Sequence, residues 1–329
     1  MKKELGIFIL LVLLCVIVSA INPNFLLAIN LQNLARQIGI FGIFSIGLGL
    51  VIITGGIELS VGSMMALLGV LLSMMLTEWH LGVAIAVLAS LALAMSLTLI
   101  HGLLITRLNM QPFIVTLCGL LFYRGLARFI TKDETKGFGT AGGLDFLRFL
   151  ANGNLFGIPM PFVLLILISI VTWVVLHRSV YGRYLFATGR NAEAARYAGI
   201  NTRWMITIAY VIAGGLTAVS GIMFAFYTNS VSPANHGNAY ELYGIAAAVL
   251  GGCSLRGGEG SVIGIIIGAA LLQVLRNLVN LLGIPSSLDF AVMGAVILIG
   301  VMADQIFTER RNRRQVALMR ESVRADAQS

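Results

Sequence analysis

The run Gly47-Leu48-Gly49-Leu50-Val51-Ile52-Ile53-Thr54-Gly55-Gly56-Ile57-Glu58-Leu59-Ser60-Val61-Gly62-Ser63 sets one carboxylate, Glu58, in an apolar stretch just past a Gly-Gly pair. A carboxylate at membrane depth is costly unless it is paired, hydrated or held at a helix end. Backbone amides that open the next helix can stabilise that charge. Two roles fit Glu58: a helix N-terminal anion at an interfacial turn, or a group that contacts substrate or a coupling proton. Gly55, Gly56, Glu58, Ser60, Gly62 and Ser63 form the signature turn.

A second run, Gly189-Arg190-Asn191-Ala192-Glu193-Ala194-Ala195-Arg196-Tyr197-Ala198-Gly199-Ile200, predicts a short helix ended by Gly199. Its alanines permit close approach, so the helix suits docking in a groove of a soluble partner. A basic loop that only fixes orientation is the alternative. A third set, Gln273, Arg276, Asn277 and Asn280, recurs at three- and four-residue spacing and shares one helix face. Amides and a guanidinium there can bond sugar hydroxyls along a substrate path, or bond a neighbouring helix.

Other chemistries find little support. Cys15, Cys118 and Cys253 lie far apart, and no Cys or His pair has metal-ligand spacing, so neither a disulfide framework nor a metal site is expected. His101 and His236 read as solitary structural histidines. Gly257-Gly258-Glu259-Gly260-Ser261 is glycine-rich but lacks the lysine of a phosphate-binding loop. The chain therefore binds no ATP or Mg of its own, and any ATPase must be another subunit.

The elements that position these residues are membrane helices. Of 329 residues, 58% are hydrophobic and only 11% charged, with a mean hydropathy of +0.93. Such a chain has lipid as its main solvent, and each span must satisfy its own backbone hydrogen bonds. Ten spans are expected: Leu5–Ile21, Ile38–Ile53, Val61–Leu76, Leu81–Ile105, Phe113–Ile130, Met160–Leu176, Trp204–Tyr227, Tyr240–Leu250, Ser261–Leu282 and Leu288–Phe307. The fold class is all-α, a polytopic bundle in which several helices are short or broken. The first stretch mimics a secretory signal, with Val18-Ser19-Ala20 as a weak cleavage site, and is taken as a retained helix.

Residues 1–307 form one transmembrane domain, with 178–203 as its largest cytoplasmic connection and 308–329 as a basic tail. Arg178, Arg183, Arg190, Arg196, Arg203 and the Arg310 to Arg314 run then share one face, which is cytoplasmic by the positive-inside rule. Both termini lie on that side. The net charge of +8 comes from these loops and the tail, which present no folded basic face to nucleic acid. Gly55-Gly56 and Gly251-Gly252 read alike, and their shared side suits a parallel internal repeat.

From Asn30-Leu31-Gln32-Asn33-Leu34 through the Thr54 to Ser63 signature, the Asn191 to Ile200 segment and the Gly251 to Ser261 loop, the chain resembles the permease subunits of bacterial ATP-binding-cassette importers for monosaccharides, the ribose, xylose, galactose and autoinducer-2 group. That family usually has Asp where this chain has Glu58. The resemblance implies the ten-helix fold of vitamin B12 permeases, whose symmetry is inverted. It implies a coupling helix at Asn191, Ala192, Glu193, Ala194, Ala195, Ala198 and Gly199, which transmits closure of a cytoplasmic ATPase. It further implies a second permease copy or paralogue, a periplasmic solute-binding protein, a small sugar-like substrate and a place in the bacterial inner membrane. The polar loop Asn229 to Asn238 suits contact with that binding protein, or is a solvated turn.

An ion-coupled secondary sugar carrier, using Glu58 or Asp289, is the first rival. The scarcity of other intramembrane carboxylates argues against it. A membrane enzyme would need His, Asp or Cys clustered at one depth, and none can be assembled.

Overall fold

The computed structural model describes residues 2–139 and 142–285, with isolated positions as far as 302. Its helices are α1 (Lys2–Ile21), α2 (Ala28–Ile53), α3 (Val61–Thr77), α4 (Val83–Arg107), α5 (Pro112–Thr131), α6 (Asp145–Asn152), α7 (Met160–Arg178), α8 (Val180–Arg190), α9 (Ala192–Tyr197), α10 (Thr202–Thr228), α11 (Tyr240–Leu250) and α12 (Val262–Leu281). The first nine expected spans each fall on a helix. The tenth, with Asp289 and the basic tail, lies outside the described residues apart from isolated positions. Among the described helices, seven are long and apolar enough to cross a membrane; α3 and α11, of 17 and 11 residues, are shorter.

Helix α2 is the hub. Every residue from Ile38 to Ile53 is buried, so an apolar run without a polar face becomes a central helix rather than a lipid-facing one. It begins ten residues before its expected start because the polar residues there have partners. Asn30 and Asn277 exchange hydrogen bonds at 3.1 and 2.8 Å, and Arg36 donates to Asn33 Oδ1 and to the Asn152 carbonyl.

Lipid tails give no hydrophobic drive for helices to associate, so close packing of small residues must hold the bundle. A Cβ on Gly47 would lie 2.9 Å from the Ala213 Cα, and one on Gly214 would lie 2.1 Å from the Thr98 hydroxyl. Those contacts seat α10 between α2 and α4, antiparallel to both. Ser220 adds a 2.7 Å hydrogen bond to the Ile40 carbonyl.

The two Gly-Gly turns do lie at one end of the bundle, the end that carries Arg178, Arg190 and Arg203. The larger correspondence is a different one from the parallel repeat expected. Long, short and long helices follow one another as α2-α3-α4 and as α10-α11-α12, and α2 runs antiparallel to α10. What the two Gly-Gly turns share is a left-handed glycine, Gly55 with φ at 81° and Gly252 with φ at 92°.

At the opposite end, β1 (Lys136–Gly137) pairs antiparallel with β4 (Ser230–Val231), and β2 (Asn154–Leu155) with β3 (Ile158–Pro159). Ser73, near the end of α3, donates to the Gly137 carbonyl at 2.8 Å. The Asn229 to Asn238 loop is thus half structural: Val231, Pro233, His236 and Gly237 are buried, while Asn229, Asn235 and Asn238 are exposed.

Candidate functional site at the broken helices

The signature turn is no interfacial turn. After α2 ends, residues 54–60 fold back into the bundle, and α3 starts inside it. Gly55 takes the left-handed conformation that the reversal needs, with φ at 81°. Tyr210, eight residues into α10 and so about 12 Å from that helix's start, donates to the Ile57 carbonyl at 3.1 Å.

Glu58 is only 1% exposed and fully engaged. Its Oε1 accepts the Ser60 N–H at 2.7 Å and the Ser60 hydroxyl at 2.6 Å, and its Oε2 lies 2.9 Å from His101 Nδ1. A carboxylate can only accept, so Nδ1 carries the proton. The other ring nitrogen, Nε2, lies 2.8 Å from the Tyr123 hydroxyl. Glu58, His101 and Tyr123 therefore form a buried polar chain that ties the 54–60 segment to α4 and α5. Ser63 donates to the Ser60 carbonyl and completes the turn.

A second carboxylate approaches the same helix start. Glu241, in the first turn of α11, sets its carboxylate against Gly62, where a Cβ would lie 2.6 Å from Glu241 Oε2. Helices α3 and α11 meet here N-terminus to N-terminus and run apart. The meeting is so close that a Cβ on Gly62 would lie 2.0 Å from the Gly237 carbonyl oxygen, which explains the glycine in the signature. Arg124, from α5, donates to the carbonyls of Pro233 and His236 and fixes the segment that leads into α11.

The expected docking helix is α9. Asn191 is its N-cap, accepting the Ala194 N–H at 2.9 Å, and Gly199 closes it with φ at 84°. Asn191, Ala192, Glu193, Ala194, Ala198 and Gly199 are exposed, and Tyr197 is 82% exposed beside them. Ala195 is turned inward, 5% exposed, so it holds α9 to the chain and does not belong to the free face.

The third set divides. Asn277 is bonded to Asn30, the interhelical option. Arg276 is half-buried, with its guanidinium over the rings of Phe41 and Tyr243 at 5.5 and 5.2 Å. Gln273 is buried with no partner for its Oε1 among the described residues, and Asn280 is exposed.

Sequence reasoning missed His101, Tyr123, Arg124 and Glu241. A histidine in the interior of an apolar helix was the available signal, but its partner stands 43 residues away. No group of three or more His, Cys, Asp or Glu that could hold a metal occurs among the described residues.

Comparison with known proteins adds a family and its relatives. Residues 30–301 match the family model described as "Branched-chain amino acid transport system / permease component". The chain is 38% identical over 304 residues to the ribose import permease protein RbsC of Bacillus subtilis (strain 168), covering 92% of this chain and 93% of the relative. It is 32% identical over 299 residues to the fructose import permease protein FruF of Bifidobacterium longum (strain NCC 2705), covering 89% and 84%. It is 33% identical over 310 residues to the autoinducer 2 import system permease protein LsrD of Enterobacter sp. (strain 638), covering 93% and 94%. No solved structure matches the chain.

Proposed function

The chain belongs to this family of transport-system permease components, and from that premise we propose that it is the membrane-spanning subunit of an ATP-driven importer of a monosaccharide or similar sugar-like solute. The observation that carries the reading is similarity across about nine-tenths of the chain to import permeases whose named solutes differ. What those proteins share is the class of transport, not one ligand. Sugar-type solutes among the relatives favour a sugar here over the amino acids in the family's description.

The arginine-rich end faces the cytoplasm, in accord with the positive-inside rule. Both termini lie there, and α9 is the coupling helix. Its free face, Asn191, Ala192, Glu193, Ala194, Ala198 and Gly199, docks in a separate ATPase subunit that binds ATP and Mg. A solute-binding protein docks at the opposite end, where Asn229, Asn235 and Asn238 are exposed. A second permease copy or a paralogue completes the path in the bacterial inner membrane.

In transport, ATP-driven closure of the ATPase pair moves α9, and the broken helices alternate the opening of the path. Gln273, Arg276 and Asn280 offer hydrogen bonds to a passing sugar, and such contacts must stay weak for release to be fast. Asn277, engaged with Asn30, braces that helix. Gly55, Gly56, Glu58, Ser60, Gly62 and Ser63 build the broken-helix start that moves.

Gentle purification of the tagged chain, followed by mass spectrometry of what accompanies it, tests the reading. An ATPase and a binding protein in the complex are the expected result. A chain that purifies alone and moves sugar in liposomes on an ion gradient without ATP would overturn it in favour of a secondary carrier.

A further inference from the structure

Three backbone segments meet at the arginine-rich end in a contact too close for any side chain. The carbonyl oxygen of Ile53, left without a helical partner at the end of α2, accepts the Gly258 N–H at 2.8 Å. A Cβ on Gly189, in the last turn of α8, would lie 1.8 Å from that same oxygen and 2.6 Å from the Gly258 nitrogen. A Cβ on Gly257 would lie 2.6 Å from the Gly189 carbonyl oxygen and 2.9 Å from the Gly55 nitrogen. One on Gly258 would lie 2.9 Å from the Arg190 Cα. Gly257 and Gly258 take φ of 83° and 75°, open to glycine and strained for other residues.

The position of this contact gives it meaning. Arg190 is followed directly by Asn191, the cap of α9. Gly55 opens the segment that carries Glu58 to the start of α3. Gly257 and Gly258 belong to the loop that joins α11 to α12. One point therefore touches the docking helix, the route into α3 and the route between α11 and α12.

We infer that Gly55, Gly189, Gly257 and Gly258 form a backbone joint through which displacement of α9 is passed to both broken helices at once. The inference rests on the proposed function. Side chains would absorb a push by changing rotamer, whereas backbone packed on backbone transmits it, because a close-packed contact has no slack. The four glycines are positioning residues: they touch neither sugar nor nucleotide.

The test uses the complete complex, reconstituted in lipid nanodiscs and in proteoliposomes, with Gly189→Ala, Gly258→Ala and the control Gly252→Ala. Gly252 has φ of 92° but open space at its Cβ position, so it shares the conformational strain without the contact. Expected for Gly189→Ala and Gly258→Ala is normal recovery of the ATPase, with stimulation of ATP hydrolysis by loaded binding protein reduced about tenfold or more, the scale of coupling between sites. Gly252→Ala is expected to keep its stimulation. Full stimulation at Gly189→Ala and Gly258→Ala would overturn the joint, as would an equal loss at Gly252→Ala.

Should the alanine variants fail to assemble, a reversible bridge decides. Arg190→Cys and Arg256→Cys, in a chain whose three native cysteines are replaced, are joined by a short bis-thiosulfonate reagent. Uptake is expected to continue on bridging, because the bridge only fastens a contact that has no slack; uptake that stops on bridging and returns on reduction would mean that the segments separate in transport, and overturns the joint. An unaltered chain that recruits no ATPase refutes the proposed function first, and the joint with it, before any variant is compared.

Discussion

Replacing His101 with alanine removes the centre of the buried chain, and the cost can be worked from the contacts. Glu58 keeps both Ser60 donors on Oε1 but loses the Nδ1 donor that faces Oε2. A buried charge stripped of its partner costs about 3–5 kcal/mol, and Glu58 is only 1% exposed. The Tyr123 hydroxyl is orphaned as well.

Tyr123→Phe breaks only the outer link and leaves Nε2 without a partner, at about 1–3 kcal/mol. Glu58→Gln sits between them in mechanism: an amide offers a single acceptor oxygen, so either Ser60 or His101 must face an NH2 group. The three groups act as a unit. The double variant Glu58→Gln/His101→Ala should then cost less than the summed single costs, by about 1 kcal/mol or more. Unfolding of the purified chain in detergent gives the four stabilities, and uptake in vesicles gives the functional effect. Equal stability of His101→Ala and Tyr123→Phe, or strict additivity in the cycle, would refute the chain as a cooperative brace.

The remaining predictions address the other contacts. Gly62→Ala drives a Cβ to 2.0 Å from the Gly237 oxygen and should destabilise the chain by about 1–3 kcal/mol as an overpacking change, measured by the same unfolding. Ala194→Glu with Ala198→Glu, both on the exposed face of α9, should leave membrane insertion intact and abolish copurification of the ATPase; full recovery of it would remove the coupling assignment. Asn277→Leu should cost about 1–3 kcal/mol by orphaning Asn30, and Asn30→Leu/Asn277→Leu should regain most of it. Unchanged uptake in that double variant would establish Asn277 as a brace. Lys136→Met should cost under about 1 kcal/mol, because the ion pair with Glu78 is partly exposed. The hydrogen bond to Glu78 holds the Lys136 ammonium above its ordinary pKa of 10.5, so this small contribution is present below that pH and fades as pH rises through the folded value.

Helix positions were legible because lipid imposes them: an apolar run of span length has only one way to satisfy its backbone. Where the reading slipped, a polar partner came from far along the chain. Asn30 and Arg36 extend α2 beyond its apolar core because Asn277 and Asn152 receive them, and no local pattern announces that. Glu58 stood out as a membrane carboxylate, yet its depth was misjudged: a Gly-Gly pair reads as a surface turn until Tyr210 and Gly237 are seen to draw the chain inward. His101 looked solitary for the same reason. Ala195 could not be told from its exposed neighbours, since alanine spacing marks a small face without saying which side it serves. The joint at Gly189 was invisible, because a glycine needed for close approach is identical in sequence to one needed for a turn.

The head-to-head meeting of α3 and α11 bears on how Glu58 should be read. A helix start carries roughly half a positive charge on its unpaired amides. Two such starts facing each other away from water repel, and anions between them convert repulsion into attraction. Glu58 and Glu241 occupy those places, one bonded to the Ser60 amide and the other packed against Gly62. The counter-charge role belongs to the broken helices themselves and needs no coupling ion. The distinction is measurable. If Glu58 served only as this counter-charge, Glu58→Asp should keep ATP-driven uptake at the cost of some stability, through the lost reach to His101, and its uptake should show no new dependence on an imposed proton gradient. A gradient that drives uptake in the unaltered chain, and fails to in Glu58→Gln, would instead make the carboxylate a coupling site.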